Sequence, residues 1–102
     1  MKVTRINEFR AKEGKAEALR TFLTSMIPTN TSSVGCLSCQ LLQGHENPTR
    51  LVVLEVWENI EAHQTAVQQI PKEAFANVME LLDSAPVGTY YTGVVGEDTK
   101  VK

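Results

Sequence analysis

The chain has 102 residues, the size of one domain, and its 42% hydrophobic and 22% charged residues are typical of a globular protein. The 12 acidic and 10 basic side chains give a net charge of −2 without a basic block, which makes nucleic acid and membranes poor candidate partners. No apolar run approaches the roughly 18–20 residues of a membrane span, and the first residues lack the apolar stretch that is typical of a signal peptide. We therefore expect a cytoplasmic single-domain protein over residues 1–102, with a core over residues 3–95, a polar tail over 96–102 and reduced thiols.

The first part of the sequence predicts a strand followed by a helix. Residues 2–10 are rich in β-branched and aromatic side chains, which favour a strand. Apolar residues then recur at helical spacing over residues 14–27. Pro28 is expected to end this helix, so that residues 29–33 form a polar loop.

The rest of the chain predicts three strands and two helices. The side-chain oxygen of Asn59 is expected to cap the first of these helices, and Pro71 to separate it from the second. The predicted elements are strands at residues 36–43 and 50–57, helices at 59–69 and from 72 to the turn at 84–86, and a strand at 87–95.

This order, β-α-β-β-α(α)-β, predicts an α+β protein with a ferredoxin-like βαββαβ fold. Its four-stranded antiparallel sheet would carry the helices on one face. The strand at residues 50–57 is apolar on both faces: Leu51, Val53 and Trp57 alternate with Val52, Leu54 and Val56. Because the helices can cover only one face, we expect a second copy of the sheet to cover the other, giving a homodimer.

The two cysteines form a C-x-x-C sequence, Cys36 to Cys39, inside a predicted strand. At this spacing their side chains are expected on opposite faces, which favours packing over a redox pair or a metal site. The two histidines, His45 and His63, show no spacing typical of metal ligands, and both are expected to face water. Since the sequence also lacks a glycine-rich phosphate loop, we expect no metal and no other cofactor.

Two polar residues lie on strand faces that are otherwise apolar. Asn7 shares a face with Phe9, and Glu55 shares one with Trp57. A buried carboxylate is costly unless it is paired, and Arg5, Tyr90 and Tyr91 are the candidate partners by residue type. Glu55 is therefore either a buried ion-pair or interface residue, or one of a few polar groups in an apolar small-molecule pocket.

The chain resembles the antibiotic biosynthesis monooxygenase (ABM) family over residues 3–95. The resemblance rests on the order of short motifs: Asn7-Glu8-Phe9-Arg10, Glu13-Gly14-Lys15, Val34-Gly35-Cys36-Leu37, Leu54-Glu55-Val56-Trp57-Glu58-Asn59, Ala62, Phe75, Pro86 and Tyr90-Tyr91. It implies a dimeric α+β barrel with a pocket between sheet and helices in each subunit. It also implies oxidation of a phenolic or quinol compound by dioxygen without metal, flavin or haem.

The chain departs from this pattern at two helix positions. Many family members carry a histidine nine residues after the tryptophan that matches Trp57, where this chain has Ala66. Haem-degrading relatives combine an asparagine, a tryptophan and a histidine. Asn7 resembles the first, but Ala66 and Ala76 stand at the other two positions. Haem degradation is therefore disfavoured.

Together these observations predict a homodimeric, cofactor-independent monooxygenase that acts on a small phenolic, quinol or polyketide-type aromatic compound. The alternatives are a non-catalytic small-molecule-binding module of the same fold and a thiol redox protein. The candidate catalytic residues are Asn7 and Trp57, which would orient the substrate, and His63 or Tyr91, which would accept a proton or donate a hydrogen bond. The candidate pocket or structural residues are Arg5, Phe9, Glu55 and Tyr90.

Overall fold

Four strands and three helices follow one another in the computed structural model, which describes residues 1–96. Their bounds are β1 Val3–Arg10, α1 Ala16–Thr31, β2 Cys36–Gln43, β3 Arg50–Trp57, α2 Ile60–Gln68, α3 Lys72–Met79 and β4 Val87–Tyr91. The strands form one antiparallel sheet in the order β2-β3-β1-β4. This is the predicted ferredoxin-like α+β fold. Among the described residues no helix is long and apolar enough to cross a membrane.

The helices cover one face of the sheet, here called the inner face. Side chains of β3 alternate strictly between buried and partly exposed, as the period of two in a strand requires. The buried side chains pack against α1, α3 and the segment that follows α3; this core consists of Leu51, Val53, Leu19, Leu23, Val78, Leu82 and Ala11. Burying each leucine contributes about 1.5–3 kcal/mol, so this cluster carries much of the fold's stability.

Helix α1 continues past Pro28 to Thr31, so the predicted end at residue 27 is wrong. The fixed φ of proline is compatible with a helix, although Pro28 removes one backbone donor and its ring crowds the carbonyl of Thr24. The hydroxyl groups of Thr31 and Ser32 then donate to the carbonyl oxygens of Pro28 and Thr29, at 3.1 Å each. The polar segment predicted as a loop therefore forms the last helical turn and its cap.

The last helix and the last strand are both shorter than predicted. Helix α3 ends at Met79, because the chain then turns to bond with the end of β1: Asp83 N donates to Arg10 O at 2.8 Å. Strand β4 ends at Tyr91, which pairs with Thr4 near the start of β1. Residues beyond Tyr91 have almost no β1 left to pair with. Most of the predicted polar tail, residues 97–102, lies outside the described residues.

A β-bulge in β2 overturns the expectation that the two cysteines point to opposite faces. The register shifts between Cys36 and Ser38, so that Cys36 lies opposite Trp57 and Cys39 opposite Glu55. Trp57 and Glu55 share the inner face, and the extra residue, Leu37, absorbs the difference. Both cysteines therefore lie on the inner face, and both are free thiols.

Candidate functional site

A cavity of about 270 Å³ lies between the inner face of the sheet and the three helices. Most of its wall is apolar and comes from the helices, including Phe22, Met26, Val67, Ile70 and Phe75. Polar groups reach it mainly from the sheet. An apolar cavity with a few convergent polar groups is the usual form of a small-molecule site.

Two of these polar groups, Arg5 and Glu55, share one register position of the sheet with polar residues of the other two strands. Arg5 of β1 lies opposite Glu55 of β3 on one side and Tyr90 of β4 on the other, and Glu55 lies opposite Cys39 of β2. Residues directly opposite one another in a ladder share a face. Cys39, Glu55, Arg5 and Tyr90 thus form a row, here called the polar row, that crosses all four strands on the inner face.

Glu55 is the buried carboxylate of the polar row, with 4% of its surface exposed. The indole Nε1 of Trp57 donates to its Oε1 at 2.8 Å, and Nδ2 of Asn30 donates to its Oε2 at 3.4 Å. Burial raises the pKa of Glu55, while the Trp57 hydrogen bond and the charge of Arg5 oppose that rise. The carboxylate is therefore fully partnered, as a buried charge must be.

His63 lies over this carboxylate and is buried, with 6% of its surface exposed, so the expectation that it faces water is wrong. Its Nδ1 is 2.6 Å from Oη of Tyr90, and its Nε2 is 3.8 Å from Oε1 of Glu55. Burial and then the charge of Arg5 lower its pKa to about 4, so the ring is neutral at pH 7. The tautomer that suits both neighbours places the proton on Nε2, facing Glu55, and leaves Nδ1 to accept from Tyr90.

Arg5 brings a permanent positive charge to the cavity. Its guanidinium carbon lies 4.5 Å from the centroid of the Tyr90 ring, and its Nε donates to Oδ1 of Asn7 at 3.2 Å. Gly88 makes room for the guanidinium, since a Cβ there would fall 2.6 Å from Arg5 Cζ and 2.5 Å from Asn7 Oδ1. Because Arg5 occupies Oδ1 of Asn7, the amide Nδ2 of Asn7 is left as a donor for a ligand.

The structure gathers most of the predicted site residues at one cavity. Those that line it are Arg5, Asn7, Phe9, Glu55, Trp57 and His63. Tyr90 joins the group through His63. Tyr91 does not, because it follows Tyr90 in the strand, points to the other face of the sheet and is 51% exposed.

Asn30 and Gly88 contribute to the polar end of the site, and neither was predicted from the sequence. Asn30 was placed in a loop, whereas α1 carries it into the cavity wall beside Glu55. Asn30 follows Leu23 and Met26 by seven and four residues, a spacing that places all three on one face of a helix. This pattern was missed because the helix was predicted to end at Pro28. Nothing in the sequence indicated a role for Gly88, because the role depends on contacts with side chains of the neighbouring strand.

The cysteines border this site as poorly ionised thiols. Burial raises the pKa of Cys39 to about 11 and also raises that of Cys36. Nδ2 of Asn30 lies 3.7 Å from the Cys39 sulfur. Reactive thiols need a lowered pKa, so this environment favours packing over redox chemistry. Within residues 1–96, no three histidine, cysteine or acidic side chains are grouped to hold a metal ion.

Sequence comparison then identifies the family. The family described as Antibiotic biosynthesis monooxygenase matches residues 2–83. The chain belongs to the ABM family. Ala66, at the position where many members carry a histidine, lines the cavity, and His63 lies one helical turn before it. A search of curated proteins finds no significant match to this chain.

Solved structures share the fold of this ABM protein. Rv0793 from Mycobacterium tuberculosis is 24% identical with a TM-score of 0.84, covering 96% of this chain and 100% of its own. SO0527 from Shewanella oneidensis is 26% identical with a TM-score of 0.80, covering 88% of each chain. SnoaB from Streptomyces nogalater, described as a cofactor-independent oxygenase, is 18% identical with a TM-score of 0.80, covering 96% of this chain and 98% of its own.

Proposed function

We propose that this protein oxidises a small phenolic or quinol-type aromatic compound with dioxygen and needs no cofactor. Membership of the ABM family supports an oxygenase, and SnoaB is an example of the same fold described as working without a cofactor. The observation that carries the proposal is the composition of the cavity. Its apolar wall suits an aromatic ring, and its polar end combines an amide donor, a fixed cation and a neutral histidine.

These groups match the needs of direct oxidation by dioxygen. Loss of a proton turns a phenol into a phenolate, which is electron-rich enough to pass one electron to dioxygen. Recombination of the two radicals at a ring carbon gives a hydroperoxide, and loss of water leaves a carbonyl. One oxygen atom of dioxygen ends in the product and the other in water, together with the two hydrogens that the substrate has lost.

The side chains divide this work between proton transfer and charge stabilisation. Tyr90 takes the proton of the substrate while its own hydroxyl proton passes to Nδ1 of His63. Glu55, 3.8 Å from Nε2, stabilises the imidazolium that forms. The amide Nδ2 of Asn7 stabilises the developing oxyanion by a hydrogen bond, and the nearby positive charge of Arg5 adds to this stabilisation. The apolar helices keep water away from the reactive intermediates.

The proposal includes a homodimer formed through the outer face of the sheet. Within residues 1–96 no helix covers that face, whose apolar side chains are Ile6, Leu42, Val52, Leu54, Val56, Val87 and Tyr91. A stable interface buries more than about 1,000 Å² in total, and a second copy of this sheet would supply it. Sedimentation equilibrium should give twice the chain mass of 11.3 kDa, and Leu54→Asp should shift the protein toward the mass of a single chain. A wild-type monomer at micromolar concentration would contradict the dimer.

Dioxygen uptake is the direct test of the activity. Protein checked by elemental analysis and visible spectroscopy for metal, flavin and haem is mixed with a panel of quinols and anthrones. Uptake above the autoxidation blank is expected. Asn7→Ala should slow it about 10²–10³-fold, since it removes an oxyanion donor. Asn47→Ala, which removes an asparagine from the β2–β3 turn, is the matched control and should keep the full rate.

A second candidate, a non-catalytic binding module, is favoured by Ala66, which leaves this cavity without the histidine that many family members carry there. The two candidates differ in a measurable way. Saturable binding of the quinols without dioxygen uptake would support the binding module. A His63→Asn variant that keeps the full rate of uptake would contradict the role of His63 while leaving the oxygenase in place.

A further inference from the structure

Arg5 has hydrogen-bond donors that the protein leaves unused. Among the described residues, the guanidinium donates one hydrogen bond, from Nε to Asn7, and its two terminal nitrogens have no acceptor within the protein. No fully buried side-chain nitrogen or oxygen in this part of the chain lacks a partner. The terminal nitrogens are therefore not fully buried, and Arg5 is one of the residues that line the cavity.

The guanidinium is also held in place before any ligand arrives. The Tyr90 ring supports one face of it, Asn7 fixes its Nε, and Gly88 leaves the space that its terminal nitrogens occupy. A fixed, planar fork of donors is the geometry that binds a carboxylate through two parallel hydrogen bonds. Since the fork is already ordered, little side-chain entropy is lost when it binds.

Glu55 does not serve as the internal acceptor for this fork. It lies opposite Arg5 in the sheet, but its two oxygens accept from Trp57 and Asn30 instead. Its charge partly offsets that of Arg5 without occupying the terminal nitrogens. The terminal nitrogens of Arg5 thus remain available to an acceptor on a ligand in the cavity.

We propose that Arg5 recognises a carboxylate carried by the aromatic substrate, so that this protein selects aromatic acids over their neutral counterparts. The inference rests on the proposed function for the reacting ring, and it adds the substituent that orients the ring. With the carboxylate on Arg5, the ring extends along the apolar helical wall. A hydroxyl group next to the carboxylate then lies near the amide of Asn7 and the imidazole of His63.

Calorimetric binding under anaerobic conditions tests this without any oxidation. The probes are 3-hydroxy-2-naphthoate and its methyl ester, in which a methyl group removes the charge of the group offered to Arg5. The wild-type protein should bind the acid at least about tenfold more tightly than the ester. An affinity for the acid weaker than 1 mM, or no better than that for the ester, would overturn the proposal.

Variants test whether the preference for the acid over the ester depends on Arg5. Arg5→Gln should bring the affinity for the acid down to that for the ester, while Arg5→Lys, a cation without the fork, should keep part of the difference. Gly88→Ala leaves the charge in place but displaces the guanidinium, and it should also reduce the difference. Arg10→Gln is the matched control, because Arg10 lies on the same strand and pairs with Asp83 at the surface, 3.8 Å away. It should retain the wild-type difference.

The remaining outcomes separate this inference from the proposed function. If Arg5→Gln weakens acid and ester equally, Arg5 has a structural role only and the inference fails. If the wild-type protein prefers the acid but consumes no dioxygen, the inference stands and the oxygenase fails. Equal rates of dioxygen uptake with hydroquinone and 2,5-dihydroxybenzoate would leave the oxygenase and remove the acid selectivity.

Discussion

The inner face of the sheet has two ends that are built in opposite ways. At one end, Leu51 and Val53 pack against leucines of α1 in a core without polar side chains. At the other, Glu55 and Trp57 lie two and four residues beyond Val53 on the same strand. Glu55 accepts hydrogen bonds from Trp57 and Asn30, and His63, which is hydrogen-bonded to Tyr90, lies 3.8 Å from the carboxylate. The first end stabilises by excluding water, and the second holds charged groups in fixed positions. The difference teaches that a single strand, β3, can serve both the fold and the site.

Removing volume from the apolar end should have the largest effect on stability. Leu51 is fully buried, so Leu51→Ala should lower the free energy of unfolding by about 2–5 kcal/mol while leaving the acid-over-ester preference intact. Urea denaturation and calorimetry measure the two quantities. Leu37→Ala, at an exposed position of β2, should change stability by no more than about 0.5 kcal/mol. Loss of the ligand preference in Leu51→Ala would show that the two ends are not independent.

At the polar end, the stability of the protein should depend on pH, through the ionisation of His63 and Glu55. The pKa of His63 falls from 6.5 to about 4 on folding, so the unfolded chain takes up a proton first. The stability that this contributes is complete above pH 6.5 and is lost as pH falls toward 4, by up to about 3 kcal/mol. The raised pKa of Glu55 acts in the opposite direction, since burial penalises its ionised form as pH rises.

Comparing variants isolates the contribution of His63. Urea denaturation between pH 7.5 and pH 4.5 should show a smaller loss of stability for His63→Asn than for the wild-type protein. His45→Asn removes an exposed histidine in the β2–β3 turn and should follow the wild-type slope. Equal slopes for all three proteins would indicate that His63 is not shielded from protons in the folded state.

Loss of the Trp57 hydrogen bond should have the next largest effect on stability. Trp57→Phe keeps an aromatic ring but removes the Nε1 donor, 2.8 Å from Glu55. Hydrogen bonds to charged groups contribute about 1.5–3 kcal/mol, so stability at pH 7 should fall by about that amount. Circular dichroism in urea is the suitable probe, because the variant lacks the chain's only tryptophan. The loss should shrink in a Glu55→Gln background, where the acceptor is uncharged.

Asn30→Ala should have the smallest effect. Its hydrogen bond to Glu55 is long, at 3.4 Å, so we expect a loss of about 1 kcal/mol in the same measurement. A double-mutant cycle with Glu55→Gln reports the coupling between the two side chains directly. A coupling of zero would mean that Asn30 contributes packing rather than a partner for the carboxylate.

The apolar end of the sheet was largely predictable from the sequence, and the polar end was predictable only in part. Alternation along β3 assigned Leu51, Val53 and Trp57 to the inner face, because the period of two depends on the strand alone. The same alternation placed Asn7 and Glu55 beside them. Periodicity therefore identified which side chains enter the cavity from the central strands.

What could not be predicted depends on contacts between elements. The choice of Tyr90 over Tyr91 follows from the register of β4 against β1, and the shared face of the two cysteines follows from a bulge. The burial of His63 depends on how α2 is placed over the sheet. Asn30 reached the site because local hydroxyl groups supported a helical turn after Pro28.

The polar row makes the site depend on correct strand pairing. Its four members share one register position of the sheet. If one strand shifted by one residue against its neighbour, the side chain that it contributes to the row would turn to the opposite face. A chain with β4 shifted by one residue would present Tyr91 to His63's side of the sheet and lose Gly88 from beside Arg5. An insertion in a loop, in contrast, does not change the register of the strands. Ligand binding therefore tests whether the strands pair in the correct register. A chain with one shifted strand keeps its secondary structure but does not bind the ligand.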